Sequence, residues 1–154
     1  MNKRLVALLL VPVMHLCALE FQGVTIKDRD TFARATQGDY LWDLDYGTAH
    51  GVKWKKAELK LCPTMQMTIK GLARTDFVKG EQAGDPTKYV FDKIEGNQVH
   101  LHYAPLPVAS GEAPEIPCKI IFTFDGSVMI ITTIRDLPAE SRQVREIREY
   151  WRLK

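Results

Sequence analysis

His100 and His102 flank Leu101, and no other local pattern in the chain points so directly to chemistry. In an extended strand residues i and i+2 leave the same face, so two imidazoles at this spacing can reach one metal ion. Asp92 faces them across a short predicted hairpin. It would be a third ligand, or would hold an imidazole by its other nitrogen. His50, in the loop at 47–51, would complete the set. The plainer reading is two solvated histidines on an outer face beside a carboxylate, because no fourth ligand has linked spacing. The candidate metal residues are therefore His100, His102 and Asp92, and no other cofactor is implied.

Catalytic patterns are sparse. The chain has no Gly-x-Ser-x-Gly, no glycine-rich phosphate loop and no His-Glu-x-x-His. Ser110, between Ala109 and Gly111, has no assignable base. Asp43 and Asp45 lie two apart in a predicted strand and would share a face, as a glycosidase pair or as a polar edge. No catalytic residue is assigned.

A third set is aromatic and apolar: Trp42, Tyr89, Phe91, Leu101, Tyr103, Phe122 and Met129. They fall at alternate positions of predicted strands, so they point to one side of a sheet. They read as the wall of a cavity with tyrosine hydroxyls as polar handles, or as an ordinary filled core.

These residues need strands to place them. Alternating stretches rich in Ile, Val, Thr and aromatics predict strands at 40–46, 54–61, 65–74, 88–94, 98–103, 119–124, 128–134 and 146–153. Residues 28–37 predict a short helix capped by Asp30 or Thr31 and stopped by Gly38, preceded by an extended stretch at 19–27. Asp125-Gly126 is a strong hairpin signal. A loop of those two residues pairs Phe122 with Met129 and Ile120 with Ile131. At Glu95-Gly96-Asn97 a three-residue loop pairs Phe91 with Leu101 and Tyr89 with Tyr103, and sets Asp92 against His100. Residues 139–150 also carry helical spacing in Val144, Ile147 and Trp151, so a loop or a helical turn precedes the last strand. Residues 78–87 form a polar linker. Residues 104–117 hold Pro105, Pro107, Pro114 and Pro117, too many for a strand. A loop of this length suggests a functional loop or a flexible flap.

The fold class that follows is mainly β, an antiparallel up-and-down meander of about eight strands with a short N-terminal helix. Lys3 and Arg4 precede an apolar run at 5–16, too short to span a bilayer and suited to an export signal. The predicted organisation is a signal peptide at 1–18 and one domain at 19–154, periplasmic or secreted. Lipid attachment at Cys17 and a retained anchor are the alternatives. Removal of residues 1–18 takes away two of 21 basic residues and none of the 19 acidic ones, leaving charge near balance. That excludes a phosphate-neutralising nucleic-acid surface and a strongly electrostatic membrane grip. The mixed arginines and glutamates at 140–152 read as a solvated face. Cys62 and Cys118 remain as an even pair, read as a disulfide worth roughly 4 kcal/mol or as two buried thiols.

The chain resembles small bacterial lipocalin-like (calycin-type) proteins. Gly38-Asp39-Tyr40-Leu41-Trp42, the two hairpins and Tyr150-Trp151-Arg152-Leu153-Lys154 carry the likeness. The Gly-to-Trp gap is four, where lipocalins typically have two. The resemblance covers residues 38–154. It implies a barrel with an internal cavity, a small apolar ligand and a terminal basic residue over the first-strand tryptophan. The expected function is an exported, non-enzymatic binding protein. The alternative is a protein-interaction module, for example an inhibitor of a secreted hydrolase or an envelope accessory factor, that uses loop 104–117. A metal-dependent enzyme built on His100, His102 and Asp92 comes third.

Overall fold

The computed structural model describes residues 18–104 and 118–154. The chain opens with a small ribbon, β1 (Glu20–Phe21) and β2 (Val24–Thr25), turned at Gln22 and Gly23, both at positive φ. Helix α1 follows at Arg29–Thr36. Asp28, not Asp30 or Thr31, is its N-cap: Asp28 Oδ1 accepts from the Thr31 backbone N–H at 2.8 Å, and Thr31 Oγ1 accepts in return from the Asp28 N–H at 3.0 Å. Thr31 thus serves as the other half of a capping box. Gly38 begins the next strand and does not stop the helix.

The strands are β3 (Gly38–Trp42), β4 (Met65–Lys70), β5 (Ala73–Val78), β6 (Glu81–Gln82), β7 (Thr87–Glu95), β8 (Gln98–Tyr103), β9 (Cys118–Asp125), β10 (Val128–Arg135) and β11 (Glu146–Leu153). Their order is β4-β3-β11-β10-β9-β8-β7-β5-β6, and β4 also pairs with β5. That extra ladder closes eight antiparallel strands into a barrel, with β6 as a short flap on β5. The mainly β class and the closed eight-stranded wall agree with the expectation and with a lipocalin-like architecture.

Three predicted strands are corrected. Residues 40–46 are a strand only to Trp42; Asp43 then caps helix α2 (Leu44–Ala49), its carboxylate accepting from the Tyr46 N–H at 2.9 Å. Asp43 and Asp45 therefore share no strand face. Residues 54–61 form helix α3 (Lys56–Leu61), because Lys-Ala-Glu-Leu-Lys-Leu has strong helix propensity and Glu58 accepts from the Lys55 N–H at 2.6 Å. Residues 65–74 hold the whole of β4 and the start of β5, divided at Gly71, which adopts φ 62°. The last strand matches its predicted bounds, and no helix occurs among residues 136–145.

The first hairpin keeps its faces but shifts its register. Gly126 and Ser127 make the loop, and Asp125 pairs with Val128, so Phe122 meets Ile131 and Met129 meets Phe124. Asp125 is held at the strand end by the Tyr46 hydroxyl, which donates to it at 2.6 Å. The second hairpin pairs Phe91 with Leu101 and Tyr89 with Tyr103 as expected, then bulges at Asp92, so that Lys93 faces His100.

Inward residues pack at the end of the barrel that α1 covers. Phe32 meets Phe122 edge-on at 5.2 Å, and Phe21 stacks on Phe124 at 4.5 Å. This helix end also holds the hairpin tips at Gly71, Gly96 and Gly126. The opposite end, the loop end, carries the connections at 43–64, 79–86 and 136–145, together with the end of β8 at Tyr103 and the start of β9 at Cys118. No disulfide joins Cys62 to Cys118. Cys62 precedes β4 and Cys118 opens β9, four strands apart around a ring of eight and so on opposite sides. A disulfide needs Cα atoms within about 7 Å. The expected signal peptide, apart from Ala18, falls on residues outside the described ones, as does loop 104–117 apart from Ala104. No described helix is long and apolar enough to cross a membrane.

Candidate functional site

Strand alternation brings one charged group into the wall. Arg74 of β5 shares a face with Asp76, and Glu149 of β11 shares a face with Trp151. Arg74 reaches across to Glu149 with both terminal nitrogens, Nη1 to Oε2 at 2.7 Å and Nη2 to Oε1 at 2.8 Å. Its Nε donates to Asp76 at 2.7 Å. The Arg74 and Glu149 side chains are only 9% and 14% exposed. The guanidinium carbon lies 5.3 Å from the centre of the Trp151 ring, a cation–π contact. Burial alone would lower the Arg74 pKa; the hydrogen bond and charge of Glu149, with Asp76 beside it, hold it well above its ordinary value.

Tyr89 and Tyr103 stack next to this pair with ring centres 5.9 Å apart. Burial raises both phenols, Tyr89 well above the usual tyrosine range, although Arg74 draws Tyr89 down and a hydrogen bond with Thr133 draws Tyr103 down. The ladders place Met65, Asp76, Tyr103, Thr133, Ile147 and Glu149 on the inner face toward the loop end. Asp76, Tyr103, Met65 and Ile147 are all half-buried there. On the lip, Cys118, Lys119, Ile134, Arg135, Asp136 and Arg145 bound a groove of about 370 Å³.

The seven predicted cavity residues divide by depth. Tyr89, Leu101, Phe122 and Met129 are buried in the packed centre. Phe91 lies toward the helix end, 6.3 Å from Phe32. Trp42 and Tyr103 are the two that stay partly exposed toward the loop end. Trp42 packs edge-on against Trp151 at 5.0 Å. Arg152 pairs with Asp43 at 2.7 Å, and Arg74 lies over the ring of Trp151.

The histidine set does not converge. The bulge at Asp92 turns its carboxylate to His102, at 2.7 Å from Nδ1, while His100 Nε2 lies 3.5 Å from Glu95. His50 caps α2 far from both, stacked on Tyr46 at 3.9 Å. Among the described residues no group of three His, Cys, Asp or Glu side chains is placed to hold a metal ion.

Arg74, Asp76, Glu149, Trp151 and Thr133 were absent from the sequence candidates. Glu149 had been placed on a solvated face. The usable signal was parity: within 146–153, Glu149 alternates with Ile147 and Trp151, a charge between two inward apolar positions. Comparison with protein-family models, curated proteins and solved structures finds no match.

Proposed function

We propose that the chain is an exported, non-enzymatic binding protein of lipocalin-like type that holds a small, largely apolar molecule at the loop end of its barrel. One observation carries this reading. The inner wall is packed at its centre and helix end, yet toward the loop end it presents partly exposed Trp42 and Tyr103 above a buried Arg74–Glu149 pair. A mainly apolar recess with a few fixed polar groups is the usual make-up of a small-molecule site. Export is supported by the basic start and short apolar run at 3–16.

Titration with the neutral fluorescent dye Nile red tests the binding. Saturable one-to-one binding that weakens in Tyr103→Ser and persists in Leu59→Ser, on exposed α3, supports the reading. Absence of saturation, or binding indifferent to Tyr103, overturns it. N-terminal sequencing of protein recovered from its host tests export, with a mature chain expected to begin at Leu19.

A further inference from the structure

Among the described residues, two enclosed indole N–H groups have no hydrogen-bond acceptor, Nε1 of Trp42 and Nε1 of Trp151. Trp151 is 0% exposed. The two rings touch edge-on and stand opposite one another on the β3–β11 ladder, so both project to the same side of the wall. Trp54 shows what a satisfied indole in this chain looks like: its Nε1 donates to Thr48 Oγ1 at 2.9 Å and to the Leu44 carbonyl at 3.2 Å. Buried indole donors ordinarily find partners, and an unmatched one costs stability. Two unmatched donors on touching rings of one face call for an acceptor brought from outside the chain.

We propose that Trp42 and Trp151 are the hydrogen-bonding subsite of the barrel's ligand, and that the ligand is a neutral, mainly apolar molecule carrying a carbonyl or ether oxygen. This rests on the binding reading above and adds the ligand's chemical class. Neutrality follows from the neighbours. Arg74 already directs Nε, Nη1 and Nη2 at Asp76 and Glu149. One cation against two carboxylates leaves the surroundings of the Trp151 ring negative, which repels a carboxylate ligand. A carbonyl supplies the acceptor without that charge.

The test uses three probes of equal length, 2-octanone, octanoate and octane, with the ¹⁵N-labelled full chain. The three indole signals are assigned with Trp42→Phe, Trp54→Phe and Trp151→Phe. Expected is that 2-octanone binds more tightly than octane and moves the Trp42 and Trp151 indole protons downfield while Trp54 stays in place. Loss of one indole donor should weaken 2-octanone roughly two- to tenfold, the worth of one neutral hydrogen bond, and leave octane binding unchanged. Trp42, at the end of β3 and only partly buried, gives a readable variant if Trp151→Phe fails to fold. If 2-octanone binds no more tightly than octane, or leaves both indole signals unmoved, the subsite is wrong and the binding reading survives. If octanoate binds most tightly, through the cations of the lip, neutrality is wrong. If no probe binds, the binding reading itself falls.

Discussion

Arg74 decides more at the residue scale than any other side chain, because burying it ties the stability of the wall to its two carboxylates. Removing one member of a buried pair strands the other charge, which costs far more than the pair itself contributes. Arg74→Met should therefore destabilise by about 3–5 kcal/mol in urea unfolding, and Arg74→Met/Glu149→Leu should recover much of that loss. A double variant no more stable than the single would show that the charge pair is not what Arg74 supplies. Tyr46 gives a second handle. Burial first, then its hydrogen bond to Asp125 and that residue's negative charge, push its phenol up to about 12. Tyr40 and Tyr89 are raised in the same direction by burial. An unfolded chain releases these protons near pH 10 while the native state retains them, so unfolding binds fewer protons and stability falls as pH rises. The contribution is complete below pH 10 and fades toward 12. The urea midpoint should drop between pH 9 and pH 11, and Tyr46→Phe should reduce the drop; a flat midpoint would contradict the assignment.

Elements were legible where local chemistry and tertiary demand agree. The strand at 146–153 and the pairing of Tyr89 with Tyr103 could be read because alternation there coincides with burial. The segment at 54–61 was not, because Ala57, Leu59 and Leu61 suggest alternation although Leu59 and Leu61 are exposed on a six-residue helix with no buried member. Helix propensity wins where there is no sheet neighbour to outweigh it. Gly71 hid a strand boundary for the opposite reason: apolar residues continue through the turn. The candidate site is least legible, since Arg74 falls at the tail of a stretch that reads as one long strand and Asp76 lies beyond it, so neither shows its inward parity. The cap of α1 offers a clean check on local chemistry. Asp28 accepts from Thr31, and this hydrogen bonding holds its carboxyl below the usual range. Asp28→Ala should lower the urea midpoint, because it leaves an orphan N–H at the first turn of a helix that seats Phe32 in the core. An Asp28→Ala protein as stable as the parent would mean that packing of Phe32 alone holds α1.

Across the whole molecule the barrel is closed unevenly, and that sets where it should open. β9 and β10 are paired along their full length, from Cys118 opposite Arg135 to Asp125 opposite Val128, and β10 meets β11 almost as fully. β5 meets β7 only at Ala73–Lys88 and Arg74–Thr87, and β11 meets β3 only from Trp151 to Leu153. Two short ladders thus bound the unit formed by β3, β4 and β5. The Arg74–Glu149 bridge runs from β5 to β11 and fastens that unit to the fully laddered half across the interior. Regions with few shared backbone hydrogen bonds open at lower free energy than the core. Amide exchange should therefore be slowest for inward positions such as Phe122 and Ile131, and fastest among strand amides at the β5–β7 junction, with Arg74→Met accelerating exchange in β3 to β5 selectively. A ligand bound to Trp42 and Trp151 would touch β3 and β11 together and slow exchange across that seam. Uniform exchange through all eight strands, unchanged in Arg74→Met, would mean that the bridge fastens nothing and that the wall opens as one unit.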